Sequence, residues 1–182
     1  QAIASLPDGV KYFPVQGTFN LTLTKKMMWT LCKKEKFPVS IVMKALKKEW
    51  KYEIQRIFGG ANFDSAIQFN GYEMKSILLF SQFDCNNAIY VHNDMVQEIK
   101  TRANQRKDVL EYAYPLYDHV ALVTEDLWES TSTLIKSTDN FKIVHNVIDT
   151  EKIIRRGNSE IKFDKDTTKS TMEFSKLKSV LE

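Results

Sequence analysis

Residues 87–93 read NAIYVHN and residues 118–124 read DHVALVT, and these two short runs decide the fold. Each is a brief apolar stretch held between polar residues, too short for a helix and rich in β-branched and aromatic side chains, so each predicts a buried strand. Between them, Met95 to Tyr114 carries the spacing of a long helix. The same alternation continues outward in both directions. Upstream, DSAIQF (64–69) predicts a strand and GYEMKSILLFSQF (71–83) contains a helix. Downstream, Glu125 to Ser137 predicts a helix, FKIVHN (141–146) a strand, and DTEKIIRRG (149–157) a short helix stopped by Gly157. Strands that alternate with longer helices form βαβ units, so the chain predicts an α/β fold with a mainly parallel sheet flanked by helices. Further out, helices are expected over 21–36 and 39–57, the second burying Ile41, Ala45, Trp50, Ile54 and Ile57. VKYFPV (10–15), set between Pro7-Asp8-Gly9 and Gly17, predicts one more strand.

Composition bounds what such a fold could do. The 182 residues suffice for one domain with a core, with 43% hydrophobic and 27% charged residues. Six glycines and four prolines are too few for a turn-rich β-sandwich. No apolar run approaches the roughly 20 residues of a membrane span, and QAIASLPDGV lacks the basic start and apolar stretch of a signal peptide. Cys32 and Cys85 stand alone, outside any Cys-x-x-Cys pattern, and predict thiols in a reducing compartment, hence a cytoplasmic location. The only glycine pair, Gly59-Gly60, follows a helix, so the glycine-rich turn of a dinucleotide-binding domain has no counterpart.

In a parallel sheet the C-terminal ends of the strands gather ligands. His92, Asn93 and Asp94 stand at such an end, and an imidazole there can accept a proton or orient a hydroxyl near neutral pH. Asp94 is also placed to cap the helix that follows. Gly71 and Tyr72, after Asn70, follow another strand end, where backbone N–H groups could approach a sugar or phosphate or merely make a turn. Thr124, Glu125 and Asp126 open a helix with a capping residue and acidic groups at its positive end. His145 and Asn146 close a later strand, while His119 begins one and reads as structural.

Charge is unevenly spread. Residues 25–56 hold ten Lys or Arg against three Glu, a net of +7 in a chain whose total is +3, so the remainder carries −4. With Met27, Met28, Trp29, Phe37 and Trp50 interleaved, this stretch has the composition of helices that lie on anionic lipid or bind a polyanionic polymer. A solvated helical face has the same composition. The acidic remainder and the absence of an RNA-binding signature argue against nucleic acid.

Taken in order, IYVHND (89–94), VTE (123–125) and HNVID (145–149) resemble the N-terminal half of bacterial GT-B glycosyltransferases. The likeness is to family-4-like enzymes of teichoic acid and surface-polysaccharide assembly, and it covers about residues 60–155. Thr124 stands where serine is commoner, and Val147 where many such proteins carry glycine. The resemblance implies a Rossmann-like acceptor domain over 1–157, lacking its first βα unit, with 158–182 a polar linker towards an absent donor domain. It further implies a nucleotide-sugar donor, no other cofactor, no obligatory metal, a leaning towards retained stereochemistry, and a polymer or lipid-linked acceptor. His92 would be catalytic, with Asn93, Asp94, Gly71, Tyr72, Thr124, Glu125 and Asn146 lining the substrate cleft. The competing expectation is a non-catalytic α/β interaction or regulatory domain, although the chain has no acidic turn near a first strand to serve it.

Overall fold

A computed structural model of the chain describes residues 9–13, 19–102 and 106–158. Its contacts divide into two compact units, Gln1–Asn146 and Val147–Glu182. The first unit begins with three helices, α1 (Leu23–Lys33), α2 (Val39–Ala45) and α3 (Lys47–Phe58). There follow β1 (Ser65–Gln68), α4 (Met74–Phe80), β2 (Asn86–Val91), α5 (Met95–Arg102), α6 (Lys107–Ala113) and a 3-10 turn over Tyr114–Leu116. β3 (His119–Leu122), α7 (Leu127–Ser132) and β4 (Phe141–Ile143) complete it. The four strands form one sheet in the order β1-β2-β3-β4, every pair parallel. The α/β class with a parallel sheet flanked by helices is therefore as the sequence predicts.

Strand order has a geometric consequence. Parallel neighbours joined by right-handed crossovers, all advancing in one direction, carry their connecting helices on a single face. Burial agrees. Ile89, Val91, Val120, Leu122 and Phe141 point into a core with Ile77 and Leu78 of α4, Leu110 of α6, and Tyr114. Outside that layer, α2 packs on α6, and Trp29, Val42, Leu46 and Trp50 extend the same core. On the opposite face Ile67 and Phe69 are 53% and 59% exposed. Ala121 and Val123 are buried there, yet lie outside the main core cluster.

Four expectations need correction. Val10 to Phe13 are not a strand: among the described residues no strand pairs with them, and Phe13 packs its ring edge-on against Phe58 at 5.7 Å. Pro14 and Val15 lie outside the described residues. Residues 39–57 are two helices, broken at Leu46 (φ −101°, ψ 13°), because α2 must reach α6 while α3 is tied to α4 by Glu53 and Lys75. The buried stripe of that segment is Val42, Leu46, Trp50, Glu53 and Ile57, and Ile41 and Ala45 face solvent. The expected helix from 95 to 114 is interrupted, since Arg106 is extended (φ −117°, ψ 128°). That break turns the Arg106 guanidinium inward, where it donates to the Cys32 carbonyl oxygen and to Asp108.

The second unit contains α8 (Thr150–Gly157), as expected. The Asp149 carboxylate caps it, accepting from the Lys152 N–H at 2.8 Å, and Arg155 and Arg156 occupy its negative end. Of the expected polar linker over 158–182, residues 159–182 lie outside the described residues.

Candidate functional site

Register places the strand ends side by side. Val91 pairs with Leu122 and Leu122 with Ile143, so His92, Val123 and Val144 continue three adjacent strands at one edge. The ladder runs on past them, with the Val123 N–H donating to the Val91 carbonyl at 3.3 Å and Val144 to Leu122 at 2.8 Å. All the expected site residues in the first unit lie along this C-terminal edge, in two groups.

The first group surrounds β1 and β2. His92 is half-buried, and its Nε2 lies 2.7 Å from the Phe69 carbonyl oxygen. A carbonyl can only accept, so Nε2 must carry the proton of the neutral ring and Nδ1 must hold the lone pair. The Phe69 ring meets the His92 ring edge-on at 4.7 Å, and Tyr90 lies 5.0 Å from Phe69 and 5.7 Å from His92. Next to them the Asn93 side-chain amide donates to the Tyr72 hydroxyl and approaches Glu98 Oε1 at 3.5 Å. Burial pushes the Tyr72 phenol upward, and the neighbouring Glu98 carboxylate adds to that effect. Asp94 does what the sequence suggests at a helix start. Its Oδ1 accepts from the Val96 and Gln97 N–H groups at 2.9 and 3.1 Å.

Gly71 has a steric reason to be glycine. Its φ is +69°, and a Cβ there would stand 2.6 Å from the Tyr90 carbonyl oxygen. Its N–H is already taken, because Gln68 Oε1 accepts from both Asn70 N (2.8 Å) and Gly71 N (3.1 Å). The turn thus fixes Tyr72 beside Asn93, and this amide has no bond left for a ligand.

The second group lies at the ends of β3 and β4. Thr124, Glu125 and Asp126 precede α7, but no side chain caps it: the turn is held by Leu127 and Trp128 N–H donating to the Thr124 and Glu125 carbonyls. Thr124 and Glu125 are exposed instead. His145 Nδ1 donates to the Val123 carbonyl at 3.1 Å, which sets Nε2 3.6 Å from Glu125 Oε1, an ion pair when the ring is protonated. Asn146 is exposed at the end of the unit. His119, at the opposite edge, is exposed at the start of β3. There Asn87 and Asp118 exchange bonds at 2.8 and 2.9 Å and brace β2 against β3.

Three residues of the first group escape a reading of the sequence alone. Phe69 reads as the last apolar residue of a strand, Gln68 as a stray polar residue within one, and Glu98 as an ordinary helix surface position. Only the Gln68 interruption leaves a signal, since a polar residue on the inward phase of a strand must find buried partners. No family model and no curated protein matches this chain. Among the described residues no group of three or more metal-ligating side chains comes together. The chain has one Asp-x-Asp triplet, Asp164-Lys165-Asp166, and it lies outside the described residues.

Proposed function

We propose that this chain is the acceptor-side part of a glycosyltransferase that moves a sugar from a nucleotide-sugar donor to a cell-surface polymer or lipid-linked acceptor. The observation that carries the reading is the state of His92: Nε2 is held by a main-chain carbonyl, while Nδ1 keeps its lone pair at the C-terminal edge of the sheet. Nδ1 accepts a hydrogen bond from the acceptor hydroxyl and orients it. As the new oxygen–carbon bond forms, the hydroxyl proton passes to Nδ1. The nucleoside diphosphate leaves with the electrons of the broken bond to the anomeric carbon. Asn93, held by Tyr72 and Glu98, and Thr124 and Glu125 on the neighbouring strand end, offer polar groups for the rest of the substrate.

Contact with anionic membrane through 25–56 belongs to the same reading. Lys26, Lys33, Lys34, Lys36, Lys44, Lys47 and Lys48 are exposed and form no ion pair among the described residues, whereas Lys25, Lys51 and Arg56 are paired with Glu49, Asp84 and Glu53. Leu23 and Met27, one turn apart on α1, are 84% and 62% exposed beside these cations. Lysine heads at the headgroups with apolar side chains below them is the arrangement of an interfacial helix.

Transfer assays with labelled nucleotide sugars test the reading. Residues 1–182 alone are expected to be inactive, because donor binding in a two-domain transferase belongs chiefly to the other domain. Activity is expected once a donor-binding domain is supplied. Robust transfer by 1–182 alone overturns the half-enzyme reading.

A further inference from the structure

We propose that Phe69, backed by Tyr90, is a stacking platform for a sugar ring of the acceptor, so that the acceptor presents a pyranose next to His92 rather than a bare polyol phosphate. This inference rests on the glycosyl-transfer reading, and names the acceptor class that its site would take. Exposure is the first support. Phe69 is 59% exposed at the end of β1, on the sheet face opposite the main core cluster of the described residues. A parallel sheet is ordinarily covered on both faces, and among the described residues Ile67 and Phe69 leave an apolar strip of this one open.

Position is the second support. The Phe69 carbonyl receives the His92 Nε2 proton at 2.7 Å, while its ring lies 4.7 Å from the imidazole. One residue thus fixes the tautomer of the histidine and supplies the flat surface beside it. A pyranose has one face of C–H bonds and a rim of hydroxyls. Its C–H face packs on the electron-rich face of an aromatic ring, and its rim then reaches polar groups alongside. Here those groups are His92 Nδ1 and the Asn93 side-chain oxygen, on the next strand end, the Asn93 nitrogen being given to Tyr72 and Glu98. A polyol phosphate has no such face, and Arg102, the cation that acts on Tyr72 in this cluster, is already drawn to Glu98 at 3.5 Å.

Saturation-transfer NMR on the intact chain tests this, with methyl β-glucopyranoside and glycerol 3-phosphate as probes. The glycoside should receive saturation at the axial hydrogens of one ring face, and glycerol 3-phosphate should receive none. Phe69→Ala should weaken glycoside binding at least about tenfold, while Phe69→Trp restores it and Ile67→Ala, on the same face, leaves it unchanged. Equal binding by wild type and Phe69→Ala overturns the platform, as does a preference for glycerol 3-phosphate. Sedimentation showing a dimer that Phe69→Ala dissociates, without glycoside saturation, also overturns it and gives the face to a second copy. Phe69-dependent glycoside binding in a protein that transfers no sugar, with its donor domain present, upholds the platform and refutes the transfer reading. Transfer to pyranosides that ignores Phe69→Ala does the reverse.

Discussion

His92 shows how much a single main-chain contact can decide. A histidine at a strand end has two ring nitrogens and no fixed assignment, but the Phe69 carbonyl takes one of them and leaves the other to act. If Nδ1 orients or deprotonates the acceptor, His92→Ala should lower kcat by ~10²-fold in the complete enzyme. Melting temperature should barely move, because the ring is half-buried at an edge. A melting loss that tracks the activity loss would make it a packing residue. Gly71 is the opposite case, with a steric function and no free donor. Gly71→Ala must either push the Tyr90 carbonyl away or bend a left-handed turn, and should cost about 2 kcal/mol in urea unfolding. An unchanged midpoint would show that the turn can relax without disturbing β2.

Between elements, the tie that matters is the one joining α3 to α4. Glu53 is 2% exposed and meets two cations, Arg56 at 2.8 Å on its own helix and Lys75 at 2.7 Å on α4. Burial opposes the charge, but the bonds from Arg56 and Lys75 outweigh it and hold the carboxyl below its ordinary 4.5. A depressed folded-state value stabilises the fold above the unfolded-state value, and that stability is lost as pH falls through the folded one. Wild-type stability should therefore drop on acidification from about pH 5 downward. Glu53→Gln keeps an acceptor but not the charge. It should be less stable at pH 7 by about 2 kcal/mol and show a shallower acid limb. Parallel acid limbs in the two proteins, measured by denaturant titration across pH, would remove Glu53 as the source.

At the scale of the first unit, the unpaired lysines and the candidate site lie on different elements. Unpaired lysines and the exposed Leu23 and Met27 occupy the N-terminal helices, whereas the candidate site lies along the C-terminal edge of the sheet. Binding of the protein to vesicles should rise with anionic lipid content and fall as salt shortens the screening length. Replacing Lys33, Lys34, Lys47 and Lys48 with Gln should weaken that binding at least about tenfold and leave the fold intact, since all four are exposed and Gln suits a helix. Equal, salt-independent sedimentation of both proteins would reduce the charge run to a solvated surface.

The sequence by itself determined the alternation of strands and helices, the parallel sheet and the residues at its C-terminal edge. Those follow from local periodicity and from turn chemistry that a short window contains, such as Asp94 before Met95. What only the tertiary structure decided depends on partners distant in sequence. The true stripe of the second helical segment runs through Glu53, whose polarity hides it in the sequence and whose neutralisation requires Lys75 from another element. The break at Leu46 carries no Gly or Pro, and exists because two helices must meet different neighbours. The tautomer of His92, the reason for Gly71 and the bare ring of Phe69 all arise where β1 and β2 end side by side. Strand pairing creates those contacts, and no local pattern encodes which strand a residue will lie beside.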